Sequence, residues 1–204
     1  MSKRKAVVTV IPNGWRRIVQ IKKTVIGWPD WSPVAALPTG KKVKPRRDDV
    51  HTVSAETTEA LFLLADERGT GLEGVRLRLN AWAYKRHKDV TATLEVVGGR
   101  EFVTISRIDA WPSTPHQNSY KALKKPRLKG LQGELLGSHA HRFDDNVKYG
   151  AEAFGPGPEG NLPVARAFPF DLQSFRDFLR LVGVEFNIDG LDEFPGPPSW
   201  QGLI

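Results

Sequence analysis

The stretch DVTATLEVVGGREFVTISRIDAW, residues 89–111, decides the fold that the sequence predicts. On both sides of Gly98-Gly99, apolar residues alternate with polar ones, which is the pattern of two strands joined by a tight turn. The alternating run VRLRLNAWAY, residues 75–84, comes shortly before it and predicts a third strand. Because three consecutive strands form a meander, we expect an antiparallel sheet at the centre of the chain.

Two further segments predict helices that pack on this sheet. Residues 54–68, SAETTEALFLLADER, begin with Ser54, a residue type that caps helix N-termini, and carry an apolar stripe at helical spacing. Residues 171–182, DLQSFRDFLRLV, begin with Asp171 and have a similar stripe. The predicted fold class is α+β, an antiparallel meander with two amphipathic helices, an N-terminal hairpin and long basic loops.

The N-terminal hairpin is predicted from two short apolar runs. AVVTVI and WRRIVQIKKTVI, residues 6–11 and 15–26, flank Pro12-Asn13-Gly14, where an Asn-Gly pair tolerates the positive φ of a hairpin turn. Prolines and tryptophans interrupt residues 27–50 and argue against regular structure there. The predicted divisions are a basic N-terminal hairpin with a Trp/Pro-rich extension (1–52), an α+β core domain (53–188) and a Pro-rich extended tail (189–204).

The composition excludes several classes of protein. Of the 204 residues, 40% are apolar, which is enough to build a core. The absence of cysteine excludes disulfides and thiol chemistry. The chain has no run of 18 apolar residues and no recognisable secretory signal, so we predict a cytoplasmic protein that does not associate with a membrane.

Charge is distributed unevenly along the chain and indicates a polyanionic partner. The formal net charge is +7 at pH 7. Residues 1–50 hold twelve Lys and Arg against three Asp, whereas residues 151–204 hold three Arg against eight Asp and Glu. We therefore expect the partner to be RNA, single-stranded DNA or a nucleic-acid-containing complex, with the acidic C-terminal part open to a protein partner.

Three groups of basic and aromatic side chains are the candidates for nucleic-acid binding. The outward face of residues 75–84 combines arginines with aromatic rings, which hold single strands by charge and stacking. A solvated face partly covered by the N-terminal segment is the alternative. The candidates are Arg76, Arg78, Trp82 and Tyr84 on that face, Lys41, Lys42, Arg46 and Arg47 in the run KKVKPRR, and Lys124, Lys125 and Arg127 in the basic loop of residues 112–135.

Residues 101–143 concentrate the groups that are suited to catalysis. The candidates are Arg107 and Asp109 on one predicted strand, His139 and His141 on another, and His116 in the loop between them. Because residues two apart share a face of a strand, each pair points in one direction. A hairpin-like return of the chain would bring the two pairs together.

Arg107 and Asp109 are also expected to share their face with Val103 and Ile105, which would make that face apolar at first and polar at its end. About 27 residues separate the two strands, a length typical of a functional or mobile loop.

Three interpretations of these five candidates stay open. In the first, Arg107 and Asp109 form a structural ion pair and the histidines are satisfied strand residues. In the second, two histidines act as acid and base while Arg107 holds a phosphate. In the third, His-x-His binds a metal with help from Asp109, His116, Asp144 or Asp145. Because the chain has no HExxH motif and no cysteine, we predict no metal ligands and no cofactor.

The second half of the chain resembles a functionally unassigned family of small bacterial proteins. The family pattern is a strand ending in Arg-x-Asp, a loop with His-x-Asn, a strand with His-x-His and a short C-terminal helix. The matching pieces are SRIDAW (106–111), PHQN (115–118), GSHAHRF (137–143) and FRDFLRLVGVEFNI (175–188). The resemblance is loose in spacing; it implies a sheet-based α+β domain and no established activity.

The first hypothesis for a nucleic-acid-interacting protein is a metal-independent RNA-cleaving enzyme of the toxin or defence type. His139 and His141, or His116, would be its acid and base, and Arg107 would stabilise charge on the phosphate. The alternative is a non-catalytic module that binds nucleic acid or a ribonucleoprotein, such as a phage-encoded inhibitor or a subunit of a complex. A third hypothesis is a protein-interaction module that uses its acidic C-terminal part.

Overall fold

The computed structural model describes residues 11–34, 57–155 and 161–202. Within these ranges, nine strands form one mostly antiparallel sheet and four α-helices accompany it, which confirms the α+β fold class. The strands are β1 (Lys23–Val25), β2 (Ser32–Pro33), β3 (Thr57–Asp66), β4 (Gly71–Trp82), β5 (Val90–Gly98), β6 (Glu101–Ala110), β7 (His116–Gln117), β8 (Glu134–Leu135), β9 (His139–His141), β10 (Arg166–Ala167) and β11 (Ile188–Asp189). The helices are α1 (Asn13–Gln20), α2 (Tyr120–Leu123), α3 (Phe143–Tyr149) and α4 (Phe175–Phe186), with short 3-10 helices at Pro126–Leu128, Ala151–Phe154 and Pro198–Gly202.

The large sheet has the strand order β10-β9-β6-β5-β4-β3-β1-β11, and β2 also pairs with β3. Strands β4, β5 and β6 follow one another as the predicted meander, and all of its pairings are antiparallel. The pairing of β1 with β11 is parallel. Strands β7 and β8 form a separate two-stranded ribbon. The ribbon belongs to the segment that connects β6 to β9.

One face of the sheet is buried in the hydrophobic core. Leu77, Leu79 and Leu94 are fully buried, which confirms the alternation predicted for the first two strands of the meander, and Ile108 of β6 is buried with them. Helix α4 buries Phe178, Leu179, Val182 and Phe186 in the same cluster. Burial of apolar area on this scale is the main stabilising contribution to such a fold. The opposite face of the sheet carries the polar residues.

The helix predicted for residues 54–68 is wrong, because Thr57–Asp66 form strand β3. Burial there repeats every two residues: Ala60, Phe62 and Leu64 are buried, whereas Leu61 and Leu63 are exposed. The apolar run ALFLLA is compatible with the repeat of a helix and with the repeat of a strand. The long antiparallel pairing with β4 satisfies the backbone groups of this run and decides in favour of the strand. Ser54, the expected helix cap, lies outside the described residues.

The predicted N-terminal hairpin is also wrong in its second arm. Residues Asn13–Gln20 form helix α1, and only Lys23–Val25 of the expected strand is extended. Trp15, Ile18 and Val19 lie on one side of a helix at spacings of three and four residues, and they pack on the core. The first arm, residues 6–11, lies almost entirely outside the described residues.

The predicted C-terminal helix is confirmed, with a later start. Helix α4 begins at Phe175 because Ser174, and not Asp171, accepts the capping hydrogen bond from the Asp177 amide. After β11, the tail lies against the end of β4, where Trp200 Nε1 donates to the Trp82 carbonyl oxygen at 2.8 Å. No helix within the described ranges has both the length and the apolar character needed to cross a membrane.

Candidate functional site

The structure brings together the two strands that carry the predicted catalytic residues. Strand β9 pairs antiparallel with β6, so that Arg107 lies opposite His141 and Asp109 lies opposite His139. The sheet register thereby places all four side chains on its polar face, as the predicted return of the chain required. We call these four residues, together with His116, the histidine cluster.

A bulge in β6 corrects the predicted face of Arg107 and Asp109. The register with β5 shifts by one residue, so that Leu94 pairs with Ser106 and Glu95 with Thr104. Ile105 is the extra residue, and an extra residue exchanges the two faces of the strand beyond it. Val103 packs against the core, whereas Arg107 and Asp109 point away from it. The expectation that they share a face with Val103 and Ile105 is therefore wrong.

His116 reaches the cluster from the β7–β8 ribbon. It pairs with Leu135 in that ribbon, and its ring centroid lies 4.7 Å from that of His141 and 5.1 Å from that of His139. A ring nitrogen from each of the three histidines lies within 4.8 Å of the other two. Within the described ranges, these histidines are the one set of three His or acidic groups close enough together to share a metal ion.

Asp109 is the centre of the cluster. Its Oδ2 lies 3.0 Å from His141 Nε2 and 3.2 Å from His139 Nε2. Arg107 Nε donates to the same oxygen at 2.9 Å, and Arg107 Nη2 lies 2.7 Å from His141 Nε2. The side chains of His139 and His141 are 3% and 0% exposed, against 16% for Asp109 and 17% for Arg107. Solvent therefore reaches the cluster from the side of Arg107 and Asp109.

Backbone carbonyl groups determine how the two strand histidines are oriented. His141 Nδ1 lies 2.5 Å from the Leu162 oxygen, and His139 Nδ1 lies 2.8 Å from the Gly137 oxygen. Because a carbonyl oxygen can only accept, each Nδ1 carries a proton and donates it. In the neutral form each ring then has its lone pair on Nε2, the nitrogen that faces Asp109.

Burial shifts the ionisation of the cluster. It lowers the pKa of His141 to about 4, against the opposing effect of Asp109. It also lowers the pKa of His116, an effect that the nearby His139 and Arg107 reinforce. Burial by itself raises the pKa of Asp109, but the contacts with His139 and His141 and the charge of Arg107 outweigh it and hold the pKa well below its usual range. At neutral pH the cluster therefore holds an ionised carboxylate beside neutral His116 and His141.

Two buried asparagines hold the segment of residues 162–165, which we call the covering segment because it lies against the cluster. Asn118 Oδ1 accepts from the Ala165 amide at 2.8 Å, and its Nδ2 donates to the carbonyl oxygens of Gln132 and Ala165. Asn146 makes the corresponding pair of bonds with Val164. They anchor the chain that follows Leu162, whose carbonyl oxygen orients His141. Asn146 and both orienting carbonyl groups were not among the predicted site residues. A backbone oxygen leaves no signal in residue type, so the sequence could not indicate the carbonyl groups.

Asp144 and Asp145, considered as additional metal ligands, are engaged elsewhere. Both lie on α3, where Asp144 pairs with Arg16 at 2.6 Å and Asp145 pairs with Arg166 at 2.7 Å. Asp145 is mostly buried in this arrangement. Their part in a metal site is not supported, because each already has a cationic partner away from the histidines.

On the predicted nucleic-acid face of β4, one carboxylate offsets one of the two arginine charges. Glu95 on β5 is buried between the two arginines, with Oε2 2.7 Å from Arg76 Nε and Oε1 2.5 Å from Arg78 Nη2. Arg76 also lies over the Phe102 ring at 3.7 Å. Strict alternation in DVTATLEVV places Glu95 on this face, so the pairing was open to prediction from the sequence.

The other predicted nucleic-acid residues occupy varied environments. Trp82 is half-buried beneath Lys85, and Tyr84 is exposed. Lys124 and Arg127 are exposed, whereas the Lys125 ammonium donates to the Tyr149 carbonyl oxygen. Four further candidates, Lys41, Lys42, Arg46 and Arg47, lie outside the described residues.

The arginine face and the histidine cluster belong to one continuous face of the sheet. Across neighbouring strands, Arg78 lies opposite Thr93, Thr93 opposite Arg107 and Arg107 opposite His141. These four residues form one line across four neighbouring strands, and two of them are arginines. Neighbouring strands are about 4.8 Å apart, so the positions of Arg78 and Arg107, two strands from each other, are about 10 Å apart.

Comparisons of the chain with protein-family models, with curated proteins and with solved structures found no match. The family resemblance inferred from the sequence stays a prediction.

Proposed function

We propose that this protein binds RNA and cleaves its phosphodiester bonds at the histidine cluster. The observation that carries the proposal is the convergence of Arg107, Asp109 and three histidines on one face of the sheet, in line with Arg78 across the neighbouring strands. Arginine binds phosphate bidentately, and a cluster of imidazole and carboxylate groups can take up and release protons. The net charge of +7 favours a polyanionic substrate.

RNA suits this arrangement because its 2′-hydroxyl is an internal nucleophile. The 2′-oxygen forms a bond to phosphorus, the bond from phosphorus to the 5′-oxygen breaks, and the 2′-hydroxyl proton passes through the cluster to the leaving 5′-oxygen. Arg107, whose side chain is 17% exposed to solvent, would offset the charge that develops on the phosphate. The products would be a 2′,3′-cyclic phosphate and a 5′-hydroxyl end.

The test is incubation of end-labelled single-stranded RNA with the wild-type protein and with Arg107→Gln, followed by analysis of the new ends. We expect cyclic phosphate ends from the wild type. Arg107→Gln should cleave at least about 100-fold more slowly, as expected for loss of a donor that stabilises transition-state charge. Arg180→Gln, at an exposed position of α4, is the matched control and should cleave normally. Equal cleavage by Arg107→Gln and the wild type would refute this role of the cluster.

A non-catalytic nucleic-acid-binding module is the second candidate. It is favoured by the exposure of Tyr84, Lys124 and Arg127, because these side chains are accessible whereas His139 and His141 are not. Such binding would weaken steeply with salt and would not depend on Arg107 as a reacting group. Salt-sensitive RNA binding without cleavage, weakened in Lys124→Gln/Arg127→Gln, would support the module over the enzyme.

A further inference from the structure

We propose that the histidine cluster is the binding site of one divalent transition-metal ion, held by His116, His139 and His141 with Asp109 as the fourth ligand. The proposal reverses the prediction of a metal-free site. It rests on the proposed function only for the role of the ion in RNA cleavage, because the binding of the ion is a separate property of the same residues.

The first argument is the direction of the lone pairs. His139 and His141 each donate Nδ1–H to a backbone carbonyl oxygen, which leaves Nε2 unprotonated in the neutral ring. Both Nε2 atoms face Asp109 Oδ2, which can also only accept when ionised. Three electron-rich atoms therefore meet. Histidine ligands in metal sites are oriented in this way, with one ring nitrogen on the metal and the other donating to a carbonyl or carboxylate.

The second argument is the state of His116. Its Nε2 is buried, and within the described residues it has no hydrogen-bond partner. A buried polar atom without a partner costs about 1–3 kcal/mol, so such an atom calls for an explanation. The ring stands within 5.1 Å of both strand histidines, centroid to centroid. A metal ion shared with them would supply the partner that this nitrogen lacks.

The third argument is the distance between the ligand atoms. Two ligands about 2.0–2.2 Å from one ion, at a tetrahedral angle, lie about 3.3–3.6 Å apart. The distances from Asp109 Oδ2 to His139 Nε2 and His141 Nε2 are 3.2 and 3.0 Å. One ring nitrogen from each of the three histidines lies within 4.8 Å of the other two, so the rings would have to move closer by up to about 1.5 Å to share one ion.

Arg107 defines the competing state without metal. Its guanidinium donates to Asp109 and reaches His141 Nε2, and thereby supplies a positive charge. Within the part of the chain that the structure describes, it makes no hydrogen bond to His139 or His116. Protonation of both strand histidines would also satisfy Asp109, but it would gather three cations around one carboxylate in a mostly buried site, at a high desolvation cost. One divalent ion meets the same need with neutral imidazoles.

The ligand set indicates the class of ion. Three imidazole nitrogens and one carboxylate oxygen suit Zn²⁺, Co²⁺ or Fe²⁺, whereas Mg²⁺ and Ca²⁺ prefer oxygen ligands. Held by these four ligands, the ion would supply positive charge beside the phosphate in cleavage. Arg107, released from His141 by the ion, would be free to hold the phosphate.

The experiment is metal titration of the full chain after treatment with EDTA. We expect the wild type to bind one Co²⁺ per chain with the visible absorption of a four-coordinate site, and Zn²⁺ to displace it. His116→Ala should lower the affinity at least about 100-fold, beyond the loss typical of an outer-shell partner. His116 is the choice because it is less buried than the strand histidines. His87→Ala, outside the cluster and in contact with the Trp111 ring, is the matched control and should bind as the wild type does.

Thermal unfolding gives a second readout that does not require cleavage. Zn²⁺ should raise the Tm of the wild type and of His87→Ala, and leave that of His116→Ala unchanged, because an ion bound only to the folded state stabilises it. Absence of stoichiometric binding by the wild type, or equal affinity in His116→Ala, would overturn the metal site. Stoichiometric binding without RNA cleavage would keep the metal site and overturn the proposed function. Cleavage by metal-free protein would keep the proposed function and overturn the role of the ion in it.

Discussion

Arg107 and His141 lie directly opposite each other on β6 and β9, with Arg107 Nη2 2.7 Å from His141 Nε2. This contact joins the most basic group of the site to its most buried histidine. His141 has no exposed surface, and its other nitrogen is held by the Leu162 carbonyl oxygen. The side chain therefore links the sheet to the covering segment, and its removal tests the structure of the site.

We expect His141→Ala to lower the free energy of unfolding by about 2–4 kcal/mol, since it leaves a cavity and the Leu162 carbonyl oxygen without its donor. His116→Ala removes a ring that has an unpaired nitrogen and should cost less than about 1 kcal/mol. Urea denaturation of both metal-free variants measures the difference. Equal losses would mean that the covering segment does not depend on His141.

Asn118→Ala should lower the free energy of unfolding by about 2–4 kcal/mol, because its amide serves three backbone groups in Gln132 and Ala165. Gln117→Ala, at the exposed neighbouring position, is the control and should change stability by less than about 0.5 kcal/mol. Hydrogen exchange provides the local measurement. The Ala165 amide should lose protection in Asn118→Ala and keep it in Gln117→Ala.

Glu95→Gln should destabilise the protein by about 1–3 kcal/mol. Loss of one partner of a buried ion pair costs more than this, but Arg76 and Arg78 keep 26% and 32% of their side-chain surface and are partly solvated. The same change removes the charge that offsets one of the two arginine charges on this face, so binding of single-stranded RNA should tighten and become more dependent on salt. Glu193→Gln, whose carboxylate lies in the acidic C-terminal part, serves as the equal-charge control. Unchanged RNA affinity in Glu95→Gln would place RNA binding away from this face.

Lys23 makes stability depend on pH in the alkaline range. It is fully buried, its Nζ donates to the Ile18 and Ile21 carbonyl oxygens at 2.7 Å, and burial lowers its pKa from 10.5 to about 8. Between these two values the unfolded chain binds more protons than the folded one, so the free energy of unfolding rises with pH, by up to about 1.4 kcal/mol per pH unit. Below the folded pKa both states are protonated and this contribution is flat.

Urea denaturation from neutral pH to about pH 10 checks this dependence by comparing the wild type with Lys23→Met. The rise attributed to Lys23 should be absent in the variant, which has no ammonium group to titrate. Other groups that titrate in this range, tyrosines among them, affect both proteins alike and cancel in the difference. Parallel curves would contradict the lowered pKa of Lys23.

Trp200→Ala should cost about 3–5 kcal/mol, as for other large buried aromatic residues. Its ring is nearly buried, stands edge-on to Phe175 with centroids 5.4 Å apart, and donates to the Trp82 carbonyl oxygen. Phe170→Ala, at an exposed aromatic position, should cost less than about 1 kcal/mol. Thermal unfolding compares the two, and a small loss at Trp200 would mean that the tail is dispensable for the fold.

The sequence by itself determined the meander and the C-terminal helix. In residues 75–82 and 90–96, polar and apolar residues alternate without competition from another period, and this alternation is a local property of the chain. The same local reasoning identified Arg107, Asp109, His139 and His141 as two pairs on two strands. It also implied that a return of the chain would join them, as the pairing of β6 with β9 does.

Only the tertiary structure decided the rest. Residues 57–66 suit a helix or a strand, and pairing with β4 selects the strand. The bulge at Ile105 exchanges the faces of β6, and no residue type announces it. The approach of His116, the carbonyl groups that orient the other histidines, and the convergence of their lone pairs on Asp109 all arise from contacts between segments distant in the chain. Such contacts depend on long-range packing, which local sequence patterns do not encode.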